Sequence, residues 1–252
     1  MMYYEEFGDK QNPTLVFLHG SNFVQSFVNQ YYFSGRFHLI VPHITGFGLE
    51  AETIFTTEKA VNDIAELIEK LDKRVTVIGF PLGAQLILPL ITKHTELFLG
   101  AIMVSPWILK EEKMMNKILL QNNKDFAFVK SKSANQLIGM MLHLNKKQTQ
   151  KMYEYSLAVQ KESVLNSINN GIDIRNYPRF ANISLPMLAI CGNKEIKDVK
   201  DSVKELNKIN SNCKYEIWET AAHNIPTNFS KKFNATINKF ICENEIKLEE
   251  SL

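Results

Sequence analysis

Buried β-strands alternate with helices along most of this chain, and this alternation constrains the fold more than any other feature of the sequence. Continuous apolar runs within 14–20, 37–42 and 74–79 are typical of strands buried on both faces. Between them, SNFVQSFVNQYYFSG at 21–35 is predicted to form a helix, and the segment 56–73 places its apolar residues on one face of a second helix. The pattern predicts an α/β fold with a mainly parallel sheet, helices on both faces, and functional sites at the carboxyl ends of the strands.

The alternation stops in the middle of the chain. From residue 107 to residue 180 the sequence has helical spacing, is rich in Lys, Met, Asn and Gln, and contains no convincing core strand. Strand patterns resume at 185–192 and 213–219. We therefore predict one α/β core, formed by residues 1–106 and 181–252, with a helical cap inserted at 107–180.

Charge, hydropathy and cysteine content argue against several classes of function. Lys and Arg number 29 against 27 Asp and Glu, a net charge of +2, so no strong overall field favours nucleic acid or an anionic membrane. No apolar run reaches the roughly 20 residues of a membrane span, and the first residues lack a signal core. Three widely spaced cysteines suggest neither a disulfide framework nor a thiolate metal site. We expect a cytoplasmic protein with a small-molecule partner, no nucleic acid, no membrane span, no metal and no cofactor.

The sequence VTVIGFPLGAQ at 75–85 has the form of a strand, a tight turn and a helix, with Pro81 at the apex. In the strand–turn–helix motif GxSxG, the apex holds a nucleophilic serine. That serine adopts a strained positive φ, whereas proline is fixed near φ of about −65° and suits a first helical turn. We expect the turn to relax, with Phe80 extended and the N–H of Leu82 re-aimed.

Polar residues follow three other predicted strands. They are the segment His-Gly-Ser-Asn at 19–22, Glu195 and His223. Because the carboxyl ends of parallel strands meet at one edge of a sheet, we expect these side chains to lie near one another. Ser105 ends a further strand, and we expect it in the wall of the pocket or supporting the site residues. Cys191 lies inside a strand and is expected to be a core residue.

Taken in order, the segments LVFLHG, VPHITGFG, GFPLGAQ, SPW, ICGNKE and AAHN resemble the α/β-hydrolase superfamily with a helical cap, over most of the chain. The resemblance implies His223 as general base and Glu195 as the acid that orients it. It also implies that the backbone N–H groups of Leu82 and of Ser21 or Asn22 form an oxyanion hole.

Some of these assignments leave alternatives open. The family more often has aspartate where Glu195 stands, and Asp198 and Asp201 follow closely, although both are well placed to start the next helix. His19 is expected to shape the oxyanion loop rather than to transfer protons. His43 stands where the family often has aspartate.

The resemblance places Pro81 at the position of the nucleophile, which leaves three functions to consider. The first is a serine-esterase lineage acting on esters or related acyl compounds and inactive as written. The second is a pseudoenzyme that binds a small molecule without turnover. The third is a lyase or cofactor-free oxygenase type of enzyme, in which His223 and its acid abstract a proton without a nucleophile. Aromatic residues of the cap, which include Trp107, Phe126, Phe128 and Tyr153, fit two roles. They are suited to the wall of a pocket for an apolar, acyl-type ligand and equally to the core of the cap itself.

Overall fold

The computed structural model describes the backbone of residues 2–249 and the side chains of residues 2–244. Within that range one sheet has the strand order β1-β3-β2-β4-β5-β6-β7. Its strands are β1 (Tyr4–Phe7), β2 (Thr14–Leu18), β3 (His38–Pro42), β4 (Val75–Gly79), β5 (Phe98–Val104), β6 (Met187–Gly192) and β7 (Cys213–Trp218). Strand β1 is antiparallel to β3 and every other pairing is parallel, which confirms the predicted α/β class.

Helices cover both faces of this sheet. Those that belong to the alternating part of the chain are α1 (Thr57–Glu69), α2 (Leu82–Lys93), α7 (Lys197–Ile209), α8 (Ile225–Asn228) and α9 (Ser230–Glu249). Between β5 and β6 lies a helical insertion made of α3 (Glu112–Val129), α4 (Lys132–Met141), α5 (Lys146–Ala158) and α6 (Lys161–Ile168). No helix in the described range is long and apolar enough to cross a membrane.

Successive side chains along each inner strand point to opposite faces of the sheet and pack into two different hydrophobic cores. On β2, Leu15 and Phe17 pack with Phe233 of α9, whereas Val16 and Leu18 pack on the other face with residues of α1 and α2. Both sets are fully buried. This double burial explains why the strands read as uninterrupted apolar runs rather than as alternating patterns.

The segment after β2 corrects one sequence prediction. A regular helix is expected from SNFVQSFVNQYYFSG, but Val24–Gly35 forms 3₁₀ turns with non-helical angles at Gln25 and Phe27. Residues buried along this segment include Val24, Phe27, Gln30 and Phe33, which recur every third residue. A three-residue period matches the 3₁₀ repeat, in which side chains at i and i+3 eclipse, and an α-helix would rotate some of them out of the core.

Candidate active site

The turn between β4 and α2 brings Pro81 to the carboxyl edge of the sheet. Pro81 has φ of −69° and ψ of −30°, values in the helical region, and it directly precedes the first residue of α2. Phe80 is not among the residues with positive φ. The turn therefore has the relaxed, helix-starting geometry that proline permits.

Glycines allow β2, β4 and α2 to approach one another closely around this turn. A Cβ atom on Gly83 would overlap the backbone carbonyl of Leu18, and one on Gly79 would overlap the backbone of Gly83. A Cβ atom on Gly20 would lie 2.8 Å from Cδ of Pro81. The two glycines that bracket the turn are thus required by the close crossing of strand and helix.

The loops after β6 and β7 bring Glu195 and His223 together. Nδ1 of His223 lies 3.1 Å from Oε1 and 3.0 Å from Oε2 of Glu195. The carboxylate side chain is 5% exposed, whereas the imidazole is 48% exposed. Because the carboxylate occupies Nδ1, Nε2 is the ring nitrogen left to exchange a proton with a bound molecule.

The two alternative acids have other partners. Asp198 lies in the first turn of α7 and accepts hydrogen bonds from Nε1 of Trp107 at 3.1 Å and from the N–H of Glu111 at 3.0 Å. Asp201 pairs with Lys197 at 2.6 Å. Of the three carboxylates, Glu195 is the one in contact with the histidine.

Ser105 contacts the site directly, through the carboxylate of Glu195. Its hydroxyl donates to Oε1 of Glu195 at 2.5 Å, and the residue is fully buried. Its φ of +53° lies in the left-handed region, which is uncommon for a residue other than glycine. The only sequence signal for this contact is the place of Ser105 directly after a strand that neighbours β6.

A cavity of about 460 Å³ opens between this edge of the sheet and the helical insertion. Pro81, Phe80 and His223 line it from the sheet side, together with residues 20–23. Apolar side chains of α3 to α6 line the opposite side and include Phe126, Ile138, Met141, Met152, Val164 and Ile168. A wider groove of about 600 Å³ lies at the amino ends of β6 and β7, far from every predicted site residue.

The four aromatic residues that the sequence suggests for the ligand pocket separate in the structure. Phe126 lines the cavity, whereas Phe128 is exposed on the outer side of α3. Trp107 is buried where the chain enters the insertion, and Tyr153 lies in a groove between α4 and α5. Phe126 therefore agrees with the interpretation as pocket wall, and Trp107 with the alternative that it belongs to the core.

Backbone donors are available beside Pro81. The loop that carries Ser21 and Asn22 is held by a hydrogen bond from the N–H of Phe23 to the carbonyl of Gly20 at 3.1 Å. Within residues 2–244, no acceptor lies in hydrogen-bonding range of the N–H groups of Leu82, Ser21 or Asn22. These three donors are therefore free to bind a ligand oxygen, although their use as an oxyanion hole stays a prediction.

His19 holds this loop through a hydrogen bond to its backbone. The N–H of Ile44 donates to Nε2 of His19 at 2.9 Å, so the ring proton sits on Nδ1, which donates to the carbonyl of Gly20 at 2.7 Å. Burial lowers the pKa of His19 to about 3, so the ring is neutral near pH 7. His43 receives a hydrogen bond from the N–H of Leu49 at 2.9 Å, and burial lowers its pKa to about 4.

Neither a reactive thiol nor a metal centre accompanies these residues. Cys191 lies in β6, where burial raises the pKa of its thiol to about 12 and keeps it protonated. No cluster of three or more His, Cys, Asp or Glu side chains with metal-binding geometry occurs in the described range.

The fold and the site together define a class of protein. A parallel sheet with a strand–turn–helix elbow, a carboxylate after β6 and a histidine after β7 is the architecture of an α/β hydrolase. The sequence profile of the family described as "alpha/beta hydrolase fold" matches residues 13–227, and the chain belongs to this family.

Solved structures share the fold at low sequence identity. A carboxylesterase from the thaumarchaeon Nitrososphaera gargenis is 16% identical with a TM-score of 0.77, covering 98% of this chain and 96% of that protein. An enol-lactonase from Burkholderia xenovorans LB400 is 15% identical with a TM-score of 0.77, covering 96% of each chain. MenH from S. aureus is 19% identical with a TM-score of 0.75, covering 97% of this chain and 100% of the other. No curated protein sequence matches the chain.

Proposed function

We propose that this chain descends from serine esterases and that Pro81 stands at the position of their nucleophile. The observation that carries the proposal is the pair Glu195–His223, joined at 3.0 Å on the same cavity that Pro81 lines. A general base held by a buried carboxylate is present, while the side chain at the helix start is a ring of unreactive carbons. The chain as given therefore lacks covalent acyl-transfer activity.

The remaining groups have defined tasks once a hydroxyl stands at position 81. Nε2 of His223 would take the hydroxyl proton as the oxygen attacks an acyl carbon, and Glu195 would stabilise the imidazolium that forms. The N–H groups of Leu82 and of Ser21 or Asn22 would hold the developing oxyanion, each donor contributing roughly 10²-fold to 10³-fold in rate. The mainly apolar wall of the insertion favours an apolar, acyl-type small molecule as the substrate or ligand.

The test is hydrolysis of short and medium p-nitrophenyl esters by the chain as given and by the Pro81→Ser variant, side by side. We expect activity only in the serine variant, at least about 100-fold above the background of a matched Pro81→Ala variant. Adding His223→Ala to Pro81→Ser should remove that activity, because the serine then has no base.

Two results would contradict the proposal. Equal hydrolysis by the proline, alanine and serine forms would mean that another group attacks the ester. Silence in all three, with the serine form folded, would mean that position 81 is not the nucleophile position of a working site.

A second function is favoured by the intact pair and the free backbone donors. His223 could abstract a proton from a bound carbon acid while the N–H groups stabilise the resulting oxyanion, a reaction that needs no nucleophile. Non-catalytic binding would leave the same cavity occupied without turnover. Exchange of deuterium from solvent into a bound ketone or ester, abolished by His223→Ala, would separate proton abstraction from binding alone.

A further inference from the structure

Positive charge is concentrated in one part of this nearly neutral chain. Residues 113–151, which cover most of α3, α4 and the first half of α5, contain eight lysines and one aspartate, a net charge of +7. The whole chain has a net charge of +2, so the remainder carries −5. The overall value therefore hides a strongly basic segment.

On α3 the lysines share the outer face with apolar side chains. Lys113, Lys117 and Lys124 follow one another at helical spacing on the exposed side of the helix. Leu120 and Phe128 lie on the same side, and Phe128 is 60% exposed. A helix with both basic and apolar groups directed away from its own protein is typical of a binding surface rather than of a solvated face.

Helices α4 and α5 carry further exposed basic and apolar side chains of the insertion. They enclose a groove of about 510 Å³ that Lys132 and Lys146 flank and that Leu144 and Tyr153 help to line. Met140 lies on this groove with 74% of its surface exposed. Asn135, Gln136, Thr149 and Gln150 complete the lining, so the groove combines two cations with both polar and apolar side chains. Such a mixed lining suits a ligand that joins anionic head groups to hydrocarbon.

These lysines are not used inside the protein. In the described part of the chain, none of Lys113, Lys117, Lys124, Lys132, Lys146 and Lys147 lies within 4.0 Å of a carboxylate. By contrast, Lys130 donates to the carbonyl of Val159, and Lys151 pairs with Glu5 at 2.5 Å. These six lysines are thus not ion-paired in the described part of the chain and are available to an external anion.

We propose that the outer face of the helical insertion, from α3 to the start of α5, docks on an anionic phospholipid bilayer. Each lysine near a negatively charged leaflet contributes to binding, and exposed Leu, Met and Phe side chains can enter the interfacial region. Met141 is 63% exposed and lines the cavity.

Features of the same face favour lipid over other polyanions. Residues 113–151 contain no arginine, the side chain best suited to bidentate phosphate and base recognition. Their exposed apolar groups are mostly Leu and Met, which cannot stack on bases. A second copy of the chain could offer its acidic remainder, and the experiment includes this alternative.

The test is vesicle flotation with the full chain. We expect binding to phosphatidylcholine vesicles that contain about 30% phosphatidylglycerol, little binding to pure phosphatidylcholine, and release at about 1 M salt, where the Debye length is about 3 Å. The double variant Lys132→Glu/Lys146→Glu should lower the partition coefficient by roughly 20-fold or more. Leu137→Ser/Met140→Ser should weaken binding without changing its dependence on anionic lipid.

A matched control reverses two exposed lysines of the α/β core, Lys214→Glu/Lys231→Glu, and it should bind as the unmodified chain does. The proposal is overturned if the control loses binding as fully as the insertion variant, or if neutral vesicles bind equally well. It is also overturned if the chain does not bind anionic vesicles. In that case, binding of a labelled oligonucleotide would identify nucleic acid as the partner, and a dimer in light scattering that the insertion variant abolishes would identify a second copy of the chain. Circular dichroism of each variant confirms that it is folded.

Discussion

His19 is a fully buried imidazole whose two hydrogen bonds require the neutral ring. Its pKa falls from 6.5 to about 3 on burial, so the unfolded chain binds the proton more tightly than the folded one. Stability is therefore complete above pH 6.5 and decreases as the pH falls from 6.5 towards 3. Between pH 7 and pH 5 we expect His19 alone to reduce the free energy of unfolding by about 2 kcal/mol, measured by urea denaturation.

A glutamine at position 19 can supply one donor and one acceptor without titrating. We therefore expect His19→Gln to show a smaller loss of stability on acidification than the unmodified chain. The same slope in the variant and in the unmodified chain would contradict this interpretation.

At the residue scale, the sequence predicts that Glu195 and His223 meet, but not the hydrogen bond from Ser105 that holds the carboxylate. Glu195 and His223 could be predicted because each follows a strand in the order characteristic of the family. The contact between Ser105 and Glu195 could not, because it joins residues 90 positions apart through the pairing of β5 with β6. No local pattern encodes the left-handed φ of Ser105 or the length of that hydrogen bond.

At the element scale, the crossing of α2 over the ends of β2 and β4 depends on Gly83. A Cβ atom there would overlap the carbonyl of Leu18, a backbone atom that cannot move without disturbing the sheet. We expect Gly83→Ala to cost about 3 kcal/mol or more and to lower the melting temperature by roughly 6–12 °C in calorimetry. Gly35→Ala is the matched control, since nothing lies within 4 Å of its added Cβ atom. Equal melting temperatures for the two variants would mean that the crossing can widen at little cost.

Element types were predictable where one period dominates the pattern. Helix α1 has a single apolar face and a Thr56 cap that accepts from the N–H of Lys59, and both features are visible in the sequence. The segment Val24–Gly35 was not predictable in the same way, because Val24, Phe27, Val28 and Tyr31 have the i, i+3, i+4, i+7 spacing that is typical of an α-helix. Tertiary contacts, such as the hydrogen bond from Gln30 to the carbonyl of Pro226 at 3.1 Å, select the 3₁₀ form.

At the scale of the whole molecule, the two ends of the insertion are tied together and to the sheet. Lys110 donates to the carbonyl of Ile168 at 2.9 Å and to Asn170 at 2.6 Å, and Asn170 donates to Gln85 of α2 at 2.8 Å. Summed composition gave no sign of this attachment or of the basic outer face, because a net charge of +2 averages over regions of opposite sign. Which charges share a surface depends on the packing of α3 to α5.

Asp198 provides the other anchor of the insertion, and its loss should loosen that region without unfolding the sheet. Asp198→Ala would leave the buried Nε1–H of Trp107 without an acceptor, at a cost of about 1–3 kcal/mol, and would also remove the acceptor of the less buried N–H of Glu111. We expect trypsin to cut the lysine-rich helix α3 several-fold faster in this variant. Asp201→Ala removes an exposed, solvent-screened pair with Lys197 on the same helix and should be cut at the original rate. If both variants are cut alike, or if the new cuts fall in the α/β core, then the insertion does not depend on Asp198 for its attachment.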